Sequence, residues 1–430
     1  MLQFHRRSWL REHANAPITA AYVVVALVLG SQGDAVGARL LGTSVALLSS
    51  ASATAILGAI ASGTMALTAI VFSLVLVALQ VGGSAYSPRV VDILNRNTFL
   101  GHALGVFTGT FLYALLAMRT VDLGGRSGVN ISVIVVAMIW LIASVTVLTL
   151  LLPQVRTLAI AVVLPALHED AAVATTRVYR PLKRDTRHVE HAAPMNLPVS
   201  GELTHGGPPR YLIGFDVSRL VRCAAEADAV IVLPAAIGDA IITGDRLAVV
   251  LGASKRVDEA TLRAALWLEP QRTLDNDPAY SIRLLVDIAI RALSPAINDP
   301  TTAVSVLDEL DGVLRLLGGS ALEDNVVLDE RGVVRLVRAV SSWDDLVALA
   351  LTEIHQYGRE SFQVQRRLAA MLHDLVKLLP PSRHPALDRF ARWRSESQSD
   401  LLHGAAGWMD AFALDRQGLG HEVPLDELAH

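Results

Sequence analysis

Residues 1–153 read as long apolar runs joined by short polar turns, whereas the rest of the chain alternates on shorter periods. A membrane-crossing helix needs about 20 apolar residues, because the hydrocarbon is roughly 30 Å thick and each residue rises about 1.5 Å. The pattern predicts four spans, at about 16–33, 55–82, 98–118 and 130–152. No charged residue occurs from Leu40 to Pro88. That is too long for one span and tight for two, so a short flanking helix is expected before residue 55 and a fifth span stays open. The first run, "ITAAYVVVALVLG", follows Arg6, Arg7 and Arg11 as a signal peptide would. Ser31-Gln32-Gly33 is a poor cleavage site, however, and more apolar runs follow, so a retained anchor is expected.

Past Pro153 the periods shorten. Residues 154–196 read as a helical extension followed by a basic linker, Arg177, Arg180, Lys183, Arg184 and Arg187. Residues 197–254 switch to short alternating runs, "AVIVL", "AIIT" and "LAVVL", separated by Gly238-Asp239 and Gly244-Asp245. Glycine-acid pairs between such runs predict compact hairpins, hence a small β-barrel or sandwich module. Residues 258–404 carry helical spacing at 258–268, 278–293, 300–317, 333–356, 359–379 and 383–403, with a loose acidic connector at 320–332. Residues 405–430 form a polar tail. The expected fold class is therefore a membrane α-helical part plus an α+β part, a β module followed by a helical bundle.

Two spans are patterned. On a helical projection Ala55, Gly58, Ala59, Ser62, Ala66, Ala69, Ser73 and Gln80 share one stripe of the second span, opposite Ile56, Leu67, Val71, Leu74 and Val75. In the third, "GHALGVFTG" spaces Gly101, Gly105 and Gly109 four apart. Small residues let helix backbones approach closely. The favoured reading is tight contact within one subunit; the rival is a self-association face, or a small-residue wall with Ser62, Ser73 and Gln80 facing a water path.

Bulk composition fits this division. The charged residues are 18% of the chain, the hydrophobic set 52%, and the mean hydropathy is +0.43. With a net charge of −4, no global basic field recruits nucleic acid. Cys223 is the only cysteine, which excludes an internal disulfide or a cysteine metal cage. The short-loop arginines, Arg6, Arg7, Arg11, Arg89 and Arg96 against Arg39, Arg119 and Arg126, favour the N-terminus inside. With four spans the C-terminal part is inside too, where the basic linker can meet anionic lipid or act as a plain solvated connector. No acidic or basic residue lies within a span, and His102 sits near an end, which argues against charge-coupled pumping.

The stretch "DIAIRALSPAINDPTTAV" stops one helix and starts another. Pro278 opens the first, capped by Asp277, and Arg283, Asp287 and Arg291 form a charged ladder along it. Ser294-Pro295 stops it, and Asp299 with Pro300 caps and opens the next. The result is a rigid corner carrying Ser294, Asn298 and Asp299, and with Asp275, Asp277, Asp287 and Arg291 they make one candidate polar site of the C-terminal part. Together with "MALTAIVFSLVLVALQVGGSAYSPRV" and "LGVFTGTFLYALL", the run "RTLDNDPAYSIRLLVDIAIRALSPAINDPTTAVSVLDEL" resembles the bacterial integral membrane proteins grouped as domain of unknown function 2254. The likeness extends from about residue 17 to 380. It implies a multi-pass protein of the bacterial inner membrane with a cytoplasmic C-terminal domain, and it assigns no catalytic residue.

Chemical motifs are sparse. Asp275 and Asp277, with Asp308, Glu309 and Asp311, have spacing that could hold Mg²⁺ or Ca²⁺, but capping and a solvated acidic face explain them at less cost. The Gly-Asp hairpins resemble lipoyl or biotinyl carriers, yet no lysine lies between Lys183 and Lys255 to bear the group. There is no phosphate loop, dinucleotide fingerprint or nucleophile elbow. No cofactor, metal or enzymatic activity is expected. The leading expectation is a homo-oligomeric, channel-like assembly in the bilayer with a cytoplasmic regulatory domain; the rival is a membrane-anchored scaffold or sensor whose protein partner the sequence does not name.

Overall fold

The computed structural model describes residues 15–31, 47–85, 99–123, 129–155, 160–182, 196–322, 325–402 and 415. It divides into two compact units, 1–159 and 160–430.

The first unit contains α1 (Asn15–Ser31), β1 (Leu47–Leu48), α2 (Ser50–Ala85), α3 (Phe99–Leu123), β2 (Val129–Asn130) and α4 (Ile131–Val155). Within these helices, Ser50–Ser73, Gly101–Val121 and Ile131–Leu151 are long and apolar enough to cross a membrane. Helix α1 is apolar but shorter, 17 residues, or about 25 Å at the usual rise. The uncharged stretch forms one unbroken helix of 36 residues from Ser50. Its described part therefore holds neither a separate flanking helix nor a second span, since nothing between Ser50 and Ala85 breaks the hydrogen-bond ladder.

Helix α3 is the centre of this unit. Its glycines form a groove that α1 and α4 fill with aromatic rings. A Cβ on Gly105 would lie 2.6 Å from the Tyr22 ring, and one on Gly109 2.9 Å from Trp140. Tyr22 reaches on to His102, with its hydroxyl 3.2 Å from Nδ1, and Thr19 donates to the Gly101 carbonyl. The Thr110 and Ser144 hydroxyls meet 2.8 Å apart between α3 and α4. The glycine ladder is thus occupied within one chain. Helix α2 is arranged the other way: Leu57, Ala61, Thr64 and Val71 are buried, while Ala55, Ala59, Ser62, Ala66, Ala69 and Ser73 face outward.

The second unit begins with α5 (Ile160–Val178) and continues through β3 (Val199–Thr204), β4 (Arg210–Phe215), α6 (Val217–Glu226), β5 (Val230–Leu233), β6 (Ala240–Ile241), β7 (Arg246–Leu251), α7 (Glu259–Ala265) and β8 (Leu266–Glu269). Then come α8 (Pro278–Ala292), α9 (Pro300–Gly318), β9 (Val326–Leu328), β10 (Val334–Arg338), α10 (Trp343–Tyr357), α11 (Phe362–Leu378) and α12 (His384–Leu402). One sheet has the order β3-β7-β5-β10-β9 and a second the order β6-β4-β8. Leu203, Leu212, Ile231, Ile241, Leu247 and Leu336 from both sheets bury in one core with Leu220 of α6 and Leu262 of α7.

Three expectations change here. Residues 266–269 are a strand paired with β4, although the helical spacing of the sequence runs to 268. Residues 334–338 are a strand running parallel to β5, and β9 lies in the expected connector. Apolar residues at 333, 334, 336, 337 and 340 fit a helical face equally well; a distant partner strand decides between the two. The Gly-Asp pairs do not close simple hairpins either. Gly238 and Gly244 have φ of +95° and +96°, and Asp239 and Asp245 each accept a backbone N–H three residues earlier. The first turn moves the chain from the five-stranded sheet to the three-stranded one, and the second returns it, so that β5 pairs with β7.

The bundle helices have a common register. Along α9, Glu309 meets His168 of α5, and Gly319 accepts from the Leu182 N–H further on, so α5 and α9 run parallel. Helix α11 also runs parallel to α9, with Arg367 on Asp308 and Asp311 and then Asp374 near Arg315. Arg367 is 4% exposed; its Nε donates to Asp308, and its Nη2 donates to Asp311, which Arg315 also holds. Such a pair is costly to break once desolvated.

His355, 1% exposed, lies between α10, α11 and α12. Gln365 donates its amide to the Gly358 carbonyl, which turns its Oε1 toward His355 Nδ1 at 3.2 Å. Nδ1 therefore carries the proton, and Nε2 accepts from the Ser397 hydroxyl at 2.7 Å. Burial pulls the ring's pKa down to about 4.

Two predictions follow from these interiors. Gly105→Leu should destabilise the first unit by about 1–3 kcal/mol through overpacking, and Tyr22→Ala in the same chain should recover part of the loss. Thermal melting of the four combinations in detergent measures this, and a wild-type melting point for Gly105→Leu would remove the α1–α3 contact. For His355 the folded pKa lies below the ordinary value, so its contribution is complete above about pH 6.5 and is lost as pH falls toward 4. At full protonation the loss is on the order of 3 kcal/mol. His355→Gln should flatten that acid limb; an unchanged limb would place the responsible group elsewhere.

Candidate functional site

The residues singled out around "SPAINDP" fall into two places, since α8, 15 residues long and hence about 22 Å, separates them. Asp275 and Asp277 stand at its start; Arg291, Ser294, Asn298 and Asp299 stand at its end. Asp287 lies between, where Arg283 donates to it and also to Glu353 of α10, fastening the two helices.

The end of α8 is a closed backbone turn. Ser294 donates its hydroxyl to the Arg291 carbonyl, and the Ser294 carbonyl accepts from the Asn298 N–H at 2.8 Å. Asn298 has φ of +50°, a left-handed conformation that asparagine tolerates better than most residues. Asp299 accepts from the Thr302 N–H at 3.1 Å and from its hydroxyl at 2.6 Å, which caps α9. Thus Ser294 and Asp299 are engaged in the turn itself.

The start of α8 is different, because charge is buried there. Asp277 is 3% exposed. Its Oδ1 accepts from the Tyr280 N–H, and its Oδ2 takes both Nε and Nη2 of Arg272 at 2.9 and 2.7 Å. The Arg272 guanidinium lies 4.9 Å from the Tyr280 ring centre. Gly238 presses its backbone onto this pair; a Cβ there would collide with Asp277 Oδ2 and Arg272 Nη2. Asn276 donates to the Ile213 carbonyl of β4. Beside them a small cleft, lined by Tyr179, Asn276, Asp277, Arg338 and Ser341 among others, has a volume of about 20 Å³. That suits one water and no metabolite. Burial raises the Asp277 carboxyl against the opposing pull of Arg272. Burial also raises the Tyr179 hydroxyl, with Arg338 opposing and Asp277 adding.

The other acidic candidates are engaged by basic side chains. Asp308 and Asp311 bind Arg367, Asp311 also binds Arg315, and Glu309 meets His168. Among the described residues no three His, Cys, Asp or Glu side chains converge as a metal site would require. Cys223 borders an open groove between α6 and α7 with Arg219, Arg222, Lys255, Glu226 and Asp258. Burial, then Glu226 and Asp258, push its thiol up, away from the reactive thiolate. In the basic linker, Arg177 donates to the Asp275 carbonyl at the far end of α5, and Lys183, Arg184 and Arg187 lie outside the described residues. In the first unit Gly101, Gly105 and Gly109 are buried, Gly58 is half-buried near Met118, and Ser62 and Ser73 are exposed; the Gln80 side chain lies outside the described set.

Sequence reasoning missed Arg272, Tyr179 and Arg338. Arg272 could have been found, since it stands five residues before its partner. Tyr179 and Arg338 meet only because β10 is a strand.

The family model described as "Predicted membrane protein (DUF2254)" matches residues 8–374. The chain belongs to this family. Its DUF2254 character agrees with the three membrane-length helices of the first unit. Similar proteins include the uncharacterized proteins Rv1290c of Mycobacterium tuberculosis and Mb1321c of Mycobacterium bovis, each 27% identical over 346 residues, or 76% of this chain. The chain spans 65% of the length of these curated relatives. No solved structure matches it.

Capping at the corner can be separated from ligand contact. Asp299→Ala should lower stability by about 0.5–2 kcal/mol, and Asp299→Asn, which still caps, should hold it. Thermal melting in detergent beside a deletion phenotype checks this. A fully stable Asp299→Asn that behaves like the deletion would make the corner a functional site.

Proposed function

We propose that this DUF2254 protein is a self-assembling protein of the bacterial inner membrane, channel-like, with four crossings and with its N-terminus and C-terminal unit in the cytoplasm. The observation that carries the reading is the outer face of α2. Ala55, Ala59, Ser62, Ala66, Ala69 and Ser73 are exposed, and their spacing alternates four and three. That is the seam of a left-handed helix pair, and small residues at it permit close backbone contact in lipid. The α3 ladder cannot serve the same purpose, because Tyr22 and Trp140 occupy it. Ser62 satisfies its hydroxyl on the Ala59 carbonyl, so this face can meet either a second helix or water without an unpaired donor.

The reading includes no enzymatic step. The rival, a membrane-anchored scaffold or sensor, draws support from the Tyr179–Asp277–Arg338 cleft, where ionisable groups from three segments lie close together.

In a Cys223→Ser background, Ser62→Cys and Ser73→Cys should each give oxidised dimers, since a disulfide needs Cα atoms about 4.4–6.8 Å apart. The buried Thr64→Cys should not. Failure of both seam positions to cross-link in native membranes would overturn self-assembly through α2. Solute or ion flux through reconstituted liposomes then separates a channel from a closed assembly, and absence of flux under voltage, tension and osmotic gradients favours the scaffold.

A further inference from the structure

The second unit has a distinct end. Because α5 and α9 run parallel, with Glu309 beside His168 and Gly319 beside Leu182, Ile160 is level with the first turn of α9. The corner 294–299 is therefore at the end of the bundle where the chain enters it. Helix α11 is parallel to α9 and α10 ends where α11 begins, so the 357–362 loop lies at this same end.

The exposed side chains there are unlike those elsewhere. Ile297 is 47% exposed at the corner, beside exposed Pro295 and Ala296. Tyr357, Phe362 and Trp393 are 54%, 45% and 39% exposed. They are the three exposed aromatic residues among the described residues of the unit, and all belong to this end; Trp393 packs 4.9 Å from His355, two residues before Tyr357. Arg366 lies over the Phe362 ring and Arg359 is exposed in the loop, with Glu360 as its acidic neighbour. Aromatic rings with basic neighbours are what a membrane–water interface selects.

Chain connectivity supplies the occupant. Helix α4 ends at Val155 and α5 begins at Ile160. A chain of that length spans at most about 17 Å, so this end cannot leave the vicinity of a bilayer that α4 crosses. We infer that the end of the bundle bearing Ile297, Tyr357 and Phe362 docks on the headgroup layer of the membrane, with Arg359 toward anionic lipid. This inference rests on α4 crossing the bilayer and not on self-assembly through α2. It places lipid contact at the opposite end of α5 from the basic linker that begins at Arg177.

The test uses the full chain, reconstituted in phosphatidylcholine vesicles with and without phosphatidylglycerol. In a Cys223→Ser background, Ile297→Cys, Phe362→Cys and Leu378→Cys are each labelled with a bimane fluorophore. Leu378 is 60% exposed at the other end of α11 and serves as the control. Lipids bearing a nitroxide near the headgroup should quench the labels at 297 and 362 several-fold more than the label at 378. All three sites are exposed, and melting of each labelled protein confirms its fold. Quenching at 297 and 362 no stronger than at 378 in both vesicle types would overturn the proposal. Labels at 297 and 362 that are shielded from a water-soluble quencher yet untouched by the lipid nitroxide would also overturn it, and would assign this end to a protein contact.

Discussion

Asp277 has almost no access to water, and both of its oxygens are engaged by the chain that surrounds it. One closes the first turn of α8, and the other holds Arg272. A buried carboxylate survives only when its charge is paired and its lone pairs are filled. Meeting that requirement brings together the turn of Gly238 from the β layers, the 272–277 loop and the bundle helix α8. The constraint explains Gly238 twice: its φ is positive, and no Cβ fits against the pair. It also explains why Asn276 points to β4, since the next residue must face inward.

The parts of this architecture that the sequence discloses are those decided locally. Apolar length fixes the membrane helices, and Asp277-Pro278 and Asp299-Pro300 announce two helix starts because capping acts within four residues. What the sequence conceals is decided by distant partners. β10 has the spacing of a helix and becomes a strand because β5 lies beside it, with Leu336 opposite Ile231. The grouping of Asp275 with Asp299 in one site failed for a geometric reason: both flank the same helix, but at opposite ends. The cleft beside Asp277 was hidden for a third reason, since Tyr179 and Arg338 come from segments that carry no chemical motif.

Two small-residue stripes illustrate the same limit in lipid. By composition, the faces of α2 and α3 are equally suited to close helix contact. In α3 the groove is filled by Tyr22 and Trp140, whose rings supply the van der Waals contact that lipid tails would otherwise supply less specifically. In α2 Leu57 and Val71 turn inward, and the outer side carries the small-residue seam beside exposed Met65, Ile70 and Phe72. In a bilayer no hydrophobic force sorts the faces of a helix, so contact area decides. An outward small-residue seam is then the face with least to gain from lipid and most to gain from another helix.

The second unit is stiff along the direction of α5. Val163, Leu167, Ala171 and Ala174 bury one side of that helix, which is tied at its middle by His168 to α9 and at its end by Arg177 to the loop before α8. Across the bundle, Arg367 and Arg315 share Asp311, so α9 and α11 cannot slide past each other without exposing a desolvated charge. The same contacts tie α5, α9 and α11 to the loop before α8, so the helix that opens the second unit and the Asp277 junction belong to one charge-locked bundle.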